Sequence, residues 1–92
     1  MNLDQVIAST RTFVFENYLY ARPDYVLGPD DLLLEHGVID SMGVVELVDF
    51  VRASFGVDVQ DEDITEDNFG TLASIARYVL GSPVSTNDRH AA

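Results

Sequence analysis

Apolar residues recur with the period of a helix in three stretches of this chain, and with the alternation of a strand in only one. From Leu3 to Tyr20 the apolar positions Leu3, Val6, Ile7, Phe13, Val14 and Leu19 predict a first helix, with Asn2 or Asp4 able to cap its start. Its β-branched and aromatic content makes that helix dependent on packing rather than on intrinsic propensity. From Ser41 to Phe55 the pattern is clearest: a helix that begins after an Asp-Ser pair and stops at Gly56, a good left-handed terminator. The third runs from Leu72 to Leu80, capped by Thr71, with Leu72, Ile75, Ala76 and Val79 on its apolar face and Gly81 at its end. Asp58 to Asn68 is acidic and irregular, with one helical turn expected around Asp61 to Ile64. "FGVDVQ" alternates like a strand, but a lone strand has nothing to pair with. These elements predict an all-α fold, a four-helix bundle of three main helices and one short one.

No internal repeat breaks the chain, so residues 1–81 are expected to form one domain. "SPVSTNDRHAA", residues 82–92, lacks apolar periodicity and reads as a flexible C-terminal tail. Ala21 to Asp40 holds Pro23, Gly28, Pro29 and Gly37 and reads as a long first loop. It also carries Leu32, Leu33 and Leu34, which will not all sit in water. A long loop pinned by its own apolar side chains is uncommon in a small domain and tends to be functional.

At about 100° per residue, the helix from Ser41 divides into two faces. Val44, Leu47, Val48, Val51 and Phe55 form the expected buried stripe. Met42, Val45, Glu46, Asp49, Arg52 and Ala53 lie opposite. A methionine and a valine among acids suggest a small docking surface with an apolar centre and an acidic rim, methionine being suited to adaptable contacts. Alternatively, Met42 and Val45 pack on the long loop.

The charge narrows the partners. Sixteen acidic residues oppose five arginines and no lysine, a formal net charge of −11. Nucleic-acid binding needs cations that replace phosphate counterions, which all but excludes that class, and the same shortage disfavours anionic membrane surfaces. Basic protein surfaces are the expected partners, unless the charge serves solubility alone. Ninety-two residues suffice for one modest core, and the absence of cysteine removes disulfides, thiol nucleophiles and cysteine metal sites. "MNLDQVIAST" is no secretion signal, and no apolar run approaches the roughly 18 residues that cross a bilayer, so the cytoplasm is the expected location.

Ser41 is the residue with chemistry to explain. It or Asp40 can cap the helix, an interaction worth on the order of 1 kcal/mol. Nucleophilic catalysis fails on detail: "IDSMG" has Ile39 where a nucleophile elbow needs glycine, no strand precedes it, and His36 and His90 are the only histidines. A calcium loop also fails, because "DVQDEDITEDNFG" lacks the D-x-[DN]-x-[DN]-G register. The third option is covalent attachment of a phosphorylated group, whose charge would meet the free N–H groups and dipole of a helix start.

"LLLEHGVIDSMGVVELVDFVRASFGVDVQDEDI" followed by "NFGTLASIARYV" resembles the acyl carrier proteins of the phosphopantetheine-binding superfamily. The D-S-[LM] signature, the V-E-L-V helix, the F-G-V stop, the D-E-D-I turn and the closing N-F…I-A-x-Y-V helix occur in order across Leu32 to Val79. The resemblance implies that Ser41, preceded by Asp40, receives 4′-phosphopantetheine from coenzyme A through a phosphopantetheinyl transferase. It implies that the arm's thiol carries an acyl or aminoacyl group as a thioester, making the chain a carrier rather than an enzyme. Met42, Val45 and Glu46 fall in the family's partner-recognition helix, and Asp49 completes the acidic rim. The implied partners are acyl- or aminoacyl-loading ligases, synthases or acyltransferases with basic docking surfaces, met by a monomer. Two residues, Val38 and Ile39, separate Gly37 from Asp40, where fatty-acid carriers typically have one. That spacing is more similar to D-alanyl carriers and to stand-alone carriers of secondary metabolism. Arg52 and Ala53 also interrupt the acidic run that often continues down this helix. Against the carrier stands one competing reading, an acidic interaction module that is never modified.

Overall fold

The computed structural model of the chain describes residues 1–81. The expected tail, 82–92, lies outside the described residues. Among these, four α-helices and one 3₁₀ turn follow in order: α1 (Leu3–Tyr18), α2 (Ser41–Phe55), the 3₁₀ turn (Asp61–Asp63), α3 (Glu66–Phe69) and α4 (Leu72–Gly81). No strand occurs among them, and "FGVDVQ" leaves α2 without forming one. The chain is an all-α bundle of the acyl-carrier kind.

Asn2, not Asp4, opens α1: its side chain accepts from the Gln5 N–H at 2.9 Å, while the Gln5 amide oxygen accepts from the Asn2 N–H at 2.9 Å. This reciprocal box satisfies two donors that the helix start leaves free. The helix ends at Tyr18, two residues before the expected Tyr20, because the Leu19 N–H turns back to the Val14 and Phe15 carbonyls and Leu19 itself is fully buried. Val6 and Val14 are buried as predicted, but Leu3 is exposed. Thr10, unremarked in the apolar pattern, is fully buried because its hydroxyl donates to the Val6 carbonyl at 2.8 Å.

Gly56 ends α2 with φ +67°, a conformation that a side chain would oppose. Within the helix Leu47, Val48 and Val51 are buried, and Gly43 joins them. Val44 and Phe55, expected in the same stripe, are only half-buried. Met42 and Val45 do not pack on the loop: they are 69% and 55% exposed. The assignment of faces predicts that Val48→Ala costs on the order of 1.5 kcal/mol in denaturant unfolding, with α2 still helical.

The acidic segment differs most from expectation. Its 3₁₀ turn covers Asp61–Asp63, and a further short helix, α3, follows where no apolar periodicity marks one. Thr65 caps α3 through the Asn68 N–H, and the Asn68 side-chain amide donates to the Asp63 carbonyl. α4 begins with a second reciprocal cap, Thr71 and Ser74 each accepting from the other's N–H at 3.0 and 3.1 Å. Its predicted face, Leu72, Ile75, Ala76 and Val79, is buried and packs chiefly on α1.

Between α1 and α2 the chain makes turns and is tied down at several points. The Leu33 N–H donates to the Gly70 carbonyl at 2.9 Å, and Pro29 accepts from the Ala73 N–H at 2.9 Å. The Arg11 guanidinium donates to the Leu27 carbonyl at 3.2 Å. Of the three consecutive leucines, Leu33 is fully buried, Leu32 half-buried and Leu34 41% exposed. One leucine therefore anchors the segment.

Candidate functional site

The start of α2 is set by the residues just before it. The Val38 and Ile39 N–H groups both donate to the Leu33 carbonyl, at 2.9 and 3.3 Å, and both side chains are buried. Gly37, at φ +71°, makes the reversal that lets this happen; a residue with a side chain would be strained there. Val38 and Ile39 thus plug the core, and Asp40 emerges at the surface in extended conformation.

Asp40 is the cap. Its carboxylate accepts from the Gly43 N–H at 2.8 Å, and its carbonyl accepts from the Val44 N–H at 3.1 Å. The sequence allowed either Asp40 or Ser41 this role, and the geometry gives it to the aspartate. Ser41 is the first residue of the helix, is exposed, and its hydroxyl has no hydrogen-bond partner among the described residues. A nucleophilic or modifiable oxygen therefore stands at a helix start without a structural duty.

Beside Ser41 lies a cavity of about 300 Å³ between α2, α3 and the preceding segment. Leu34, Val44, Val45, Ile64 and Phe69 supply apolar walls, Thr65 and Glu66 stand among them, and Gly70 completes the lining. This accounts for the half-burial of Val44, which packs against the core on one side and borders the cavity on the other. On the other side of Asp40 a second depression runs between Tyr18, Leu34, Gly37, Val38 and Ile39.

Tyr18 is the residue that sequence reasoning missed. It lies over the first turn of α2, where a β-carbon on Gly43 would come within 3.4 Å of its ring and 3.0 Å of Ile39. Its phenol donates to the Glu46 carboxylate, joining α1 to α2. Partial burial first, then the Glu46 hydrogen bond and charge, then the Asp40 charge, push the phenol well above its ordinary value of 10.0. It stays protonated and donating through the neutral range, and the bond's contribution to stability is lost only in alkali, beyond that ordinary value. The only signal in sequence was a polar-tipped aromatic at a helix end, with its partner 28 residues away.

Met42, Val45, Glu46 and Asp49 are all exposed on one side of α2, as the two-faced pattern predicts. Arg52 does not cross this face freely: one guanidinium nitrogen donates to the Val59 carbonyl at 2.7 Å and the other lies 3.6 Å from Asp49. The surface beside Ser41 is thus an apolar pair, Met42 and Val45, edged by carboxylates. His36 is exposed and its backbone N–H bonds to Leu32; its ring forms no dyad with Ser41.

A helix start with an unengaged serine, an apolar cavity beside it and a mixed apolar–acidic face behind it suits a covalently held phosphodiester better than a hydrolytic centre. The free N–H groups and the dipole at this end favour its charge. A search of curated proteins finds no match. A family model described as a phosphopantetheine attachment site matches residues 18–79, from the last residue of α1 almost to the end of α4, with Ser41 inside the span. Because that match takes in more than half of the chain, this protein belongs to the phosphopantetheine-binding family of carrier domains, whose members hold 4′-phosphopantetheine covalently.

Proposed function

We propose that Ser41 is the attachment residue and that the chain is a discrete carrier of acyl groups in a dedicated biosynthetic pathway. The observation that carries this is the division of labour at the head of α2: Asp40 holds the helix cap, leaving the Ser41 hydroxyl exposed at the mouth of an apolar cavity. When bound, 4′-phosphopantetheine supplies a terminal thiol, which a chain without cysteine lacks. Ser41 gives the point of attachment, the α2 start accommodates the phosphodiester, and the rest of the domain presents the cargo without catalysing its chemistry.

Between an acyl and an aminoacyl cargo, the cavity favours the acyl: its walls are mainly Leu34, Val44, Val45, Ile64 and Phe69, which suit an apolar chain, with Glu66 the one charged group lining it. The D-alanyl alternative rests on the Gly37-to-Asp40 spacing alone. The carrier works as a monomer in the cytoplasm, two copies at −11 each repelling one another, and meets its transferase and loading or condensing enzymes through basic surfaces.

Intact mass after incubation with coenzyme A and a broad-specificity phosphopantetheinyl transferase tests the proposal. One phosphopantetheinyl group is expected per chain, and no uptake would leave the unmodified interaction module as the reading. Replacing Glu46 and Asp49 together by lysine is expected to slow that installation roughly tenfold or more, by reversing the sign of the docking face. Far-ultraviolet circular dichroism should remain that of the parent, and unchanged installation rates would remove Glu46 and Asp49 from the docking surface.

A further inference from the structure

Further along α2 from Met42 and Val45, α1 and α2 border a groove of about 370 Å³. Its floor is aromatic. Phe13 and Phe50 stack with ring centroids 4.4 Å apart and planes 21° from parallel. Phe55 meets Phe50 edge-on at 5.7 Å, and Tyr18 meets Phe13 edge-on at 6.2 Å, so four rings run in a row along the seam of the two helices. None of the four is fully buried. The walls are Asn17 from α1 and Glu46, Asp49 and Ala53 from α2. The small side chain of Ala53 opens the side through which a partner side chain can reach the rings.

Charge says what fits there. Glu46 and Asp49 are one helical turn apart and line the same wall. Of the protein's own cations, Arg52 reaches this wall, 3.6 Å from Asp49, while also donating to the Val59 carbonyl; Arg11 is held by the Leu27 carbonyl and Arg22 lies over the Tyr25 ring at 4.9 Å. Among the described residues Glu46 has no cation on it, its carboxylate accepting from the Tyr18 phenol. A second copy of this chain, equally acidic, is repelled.

We propose that the groove over Phe13 and Phe50 docks a basic amphipathic segment of a partner protein, seating one large apolar side chain on the rings and an arginine or lysine one helical turn away against Glu46 and Asp49. Docking of this kind uses an apolar anchor for affinity and complementary charge for selection and on-rate. Ala53 lies twelve residues beyond Ser41, about 18 Å along the helix axis. The groove nonetheless shares Glu46 and Asp49 with the docking face beside Ser41, so a partner held in it competes for those acids with any protein that reaches Ser41 through them. That last consequence rests on the carrier reading, but the binding itself does not.

The test uses the full chain carrying Ser41→Ala, so that attachment plays no part. The probe is a synthetic helical peptide with one leucine flanked by arginines one turn away. Amide shifts on titration are expected to concentrate at Asn17, Phe13, Phe50 and Ala53 and to saturate. A leucine-to-serine peptide and an arginine-to-glutamate peptide should both bind at least about tenfold more weakly. In the protein, Ala53→Arg adds bulk and like charge at an exposed helix position and should weaken binding by a similar factor. Glu62→Arg, on the 3₁₀ turn, should change it less than about twofold. Equal losses from Ala53→Arg and Glu62→Arg, shifts spread over residues 58–68, shifts centred on Met42 and Val45, or indifference to the leucine would each overturn the proposal. The mass assay on the parent chain reads the carrier function separately, so the two failures are distinguishable.

Discussion

Ser41→Ala is expected to abolish uptake of phosphopantetheine while leaving stability within about 0.5 kcal/mol of the parent. The first half follows from chemistry: alanine offers no oxygen to carry the phosphodiester, and the effect is all or none in an intact-mass measurement. The second half follows from the cap. Because the Gly43 N–H is satisfied by Asp40 and the Ser41 hydroxyl by nothing, deleting that hydroxyl breaks no bond of the fold. Alanine is also the best helix former, so the first position of α2 accepts it readily. The neighbouring substitution gives the contrast. Asp40→Ala leaves a serine to modify but removes the cap, at a cost of about 1 kcal/mol. Should Ser41→Ala still gain the group, attachment lies elsewhere in the chain. If it lost the stability expected of Asp40→Ala, the assignment of the cap would be wrong.

Leu33→Ala is the second large effect, about 2–5 kcal/mol of unfolding free energy. Leu33 is fully buried, yet it belongs to a segment without helix or strand. Its backbone is a junction: the N–H donates to Gly70 at the corner between α3 and α4, and the carbonyl takes the N–H groups of Val38 and Ile39. Truncating the side chain opens a void under that junction, and the surroundings can collapse only by moving the strap that delivers Asp40 and Ser41. A domain of this size has a total stability of only some 5–15 kcal/mol, so the loss is a substantial share of it. Leu34→Ala, one residue on and 41% exposed, should cost under about 1 kcal/mol. Denaturant midpoints of the two variants decide the matter; equal midpoints would mean that Leu33 is not the anchor.

The pair of leucines also shows where sequence patterns stop being informative. Periodicity and caps located α2 and α4 because each spans several turns, so that a face is sampled many times and a stop residue marks the end. In "LLLEH" nothing distinguishes the second leucine from the third; only the Gly70 carbonyl, 37 residues on, selects it. α3 was invisible for a related reason. Four residues make barely one turn, and its cap and the Asn68 bridge to Asp63 are local contacts inside an acidic run that reads as irregular. Val44 sat in the buried stripe by angle, but burial depends on what stands opposite, and on one side of it that is a cavity. Ser41, Asp40 and the exposed face of Met42, Val45, Glu46 and Asp49 were legible, being consecutive or helically spaced in one short window. Tyr18, Phe13 and Phe50 acquire meaning only when α1 is laid against α2, and no spacing in the chain encodes that.

The bond between Tyr18 and Glu46 has a practical consequence for anyone following this protein in solution. The chain has no tryptophan and four tyrosines, so its intrinsic emission comes from phenols alone. Tyr20 is exposed, Tyr25 lies beneath Arg22, and Tyr78 donates to Asp63, all away from the head of α2. Tyr18 alone is bonded to a carboxylate that a cationic visitor would claim. When such a visitor draws Glu46 away, the phenol loses its acceptor, and its absorption and emission change with it. The molecule carries its own optical gauge of who holds Glu46, with no dye attached.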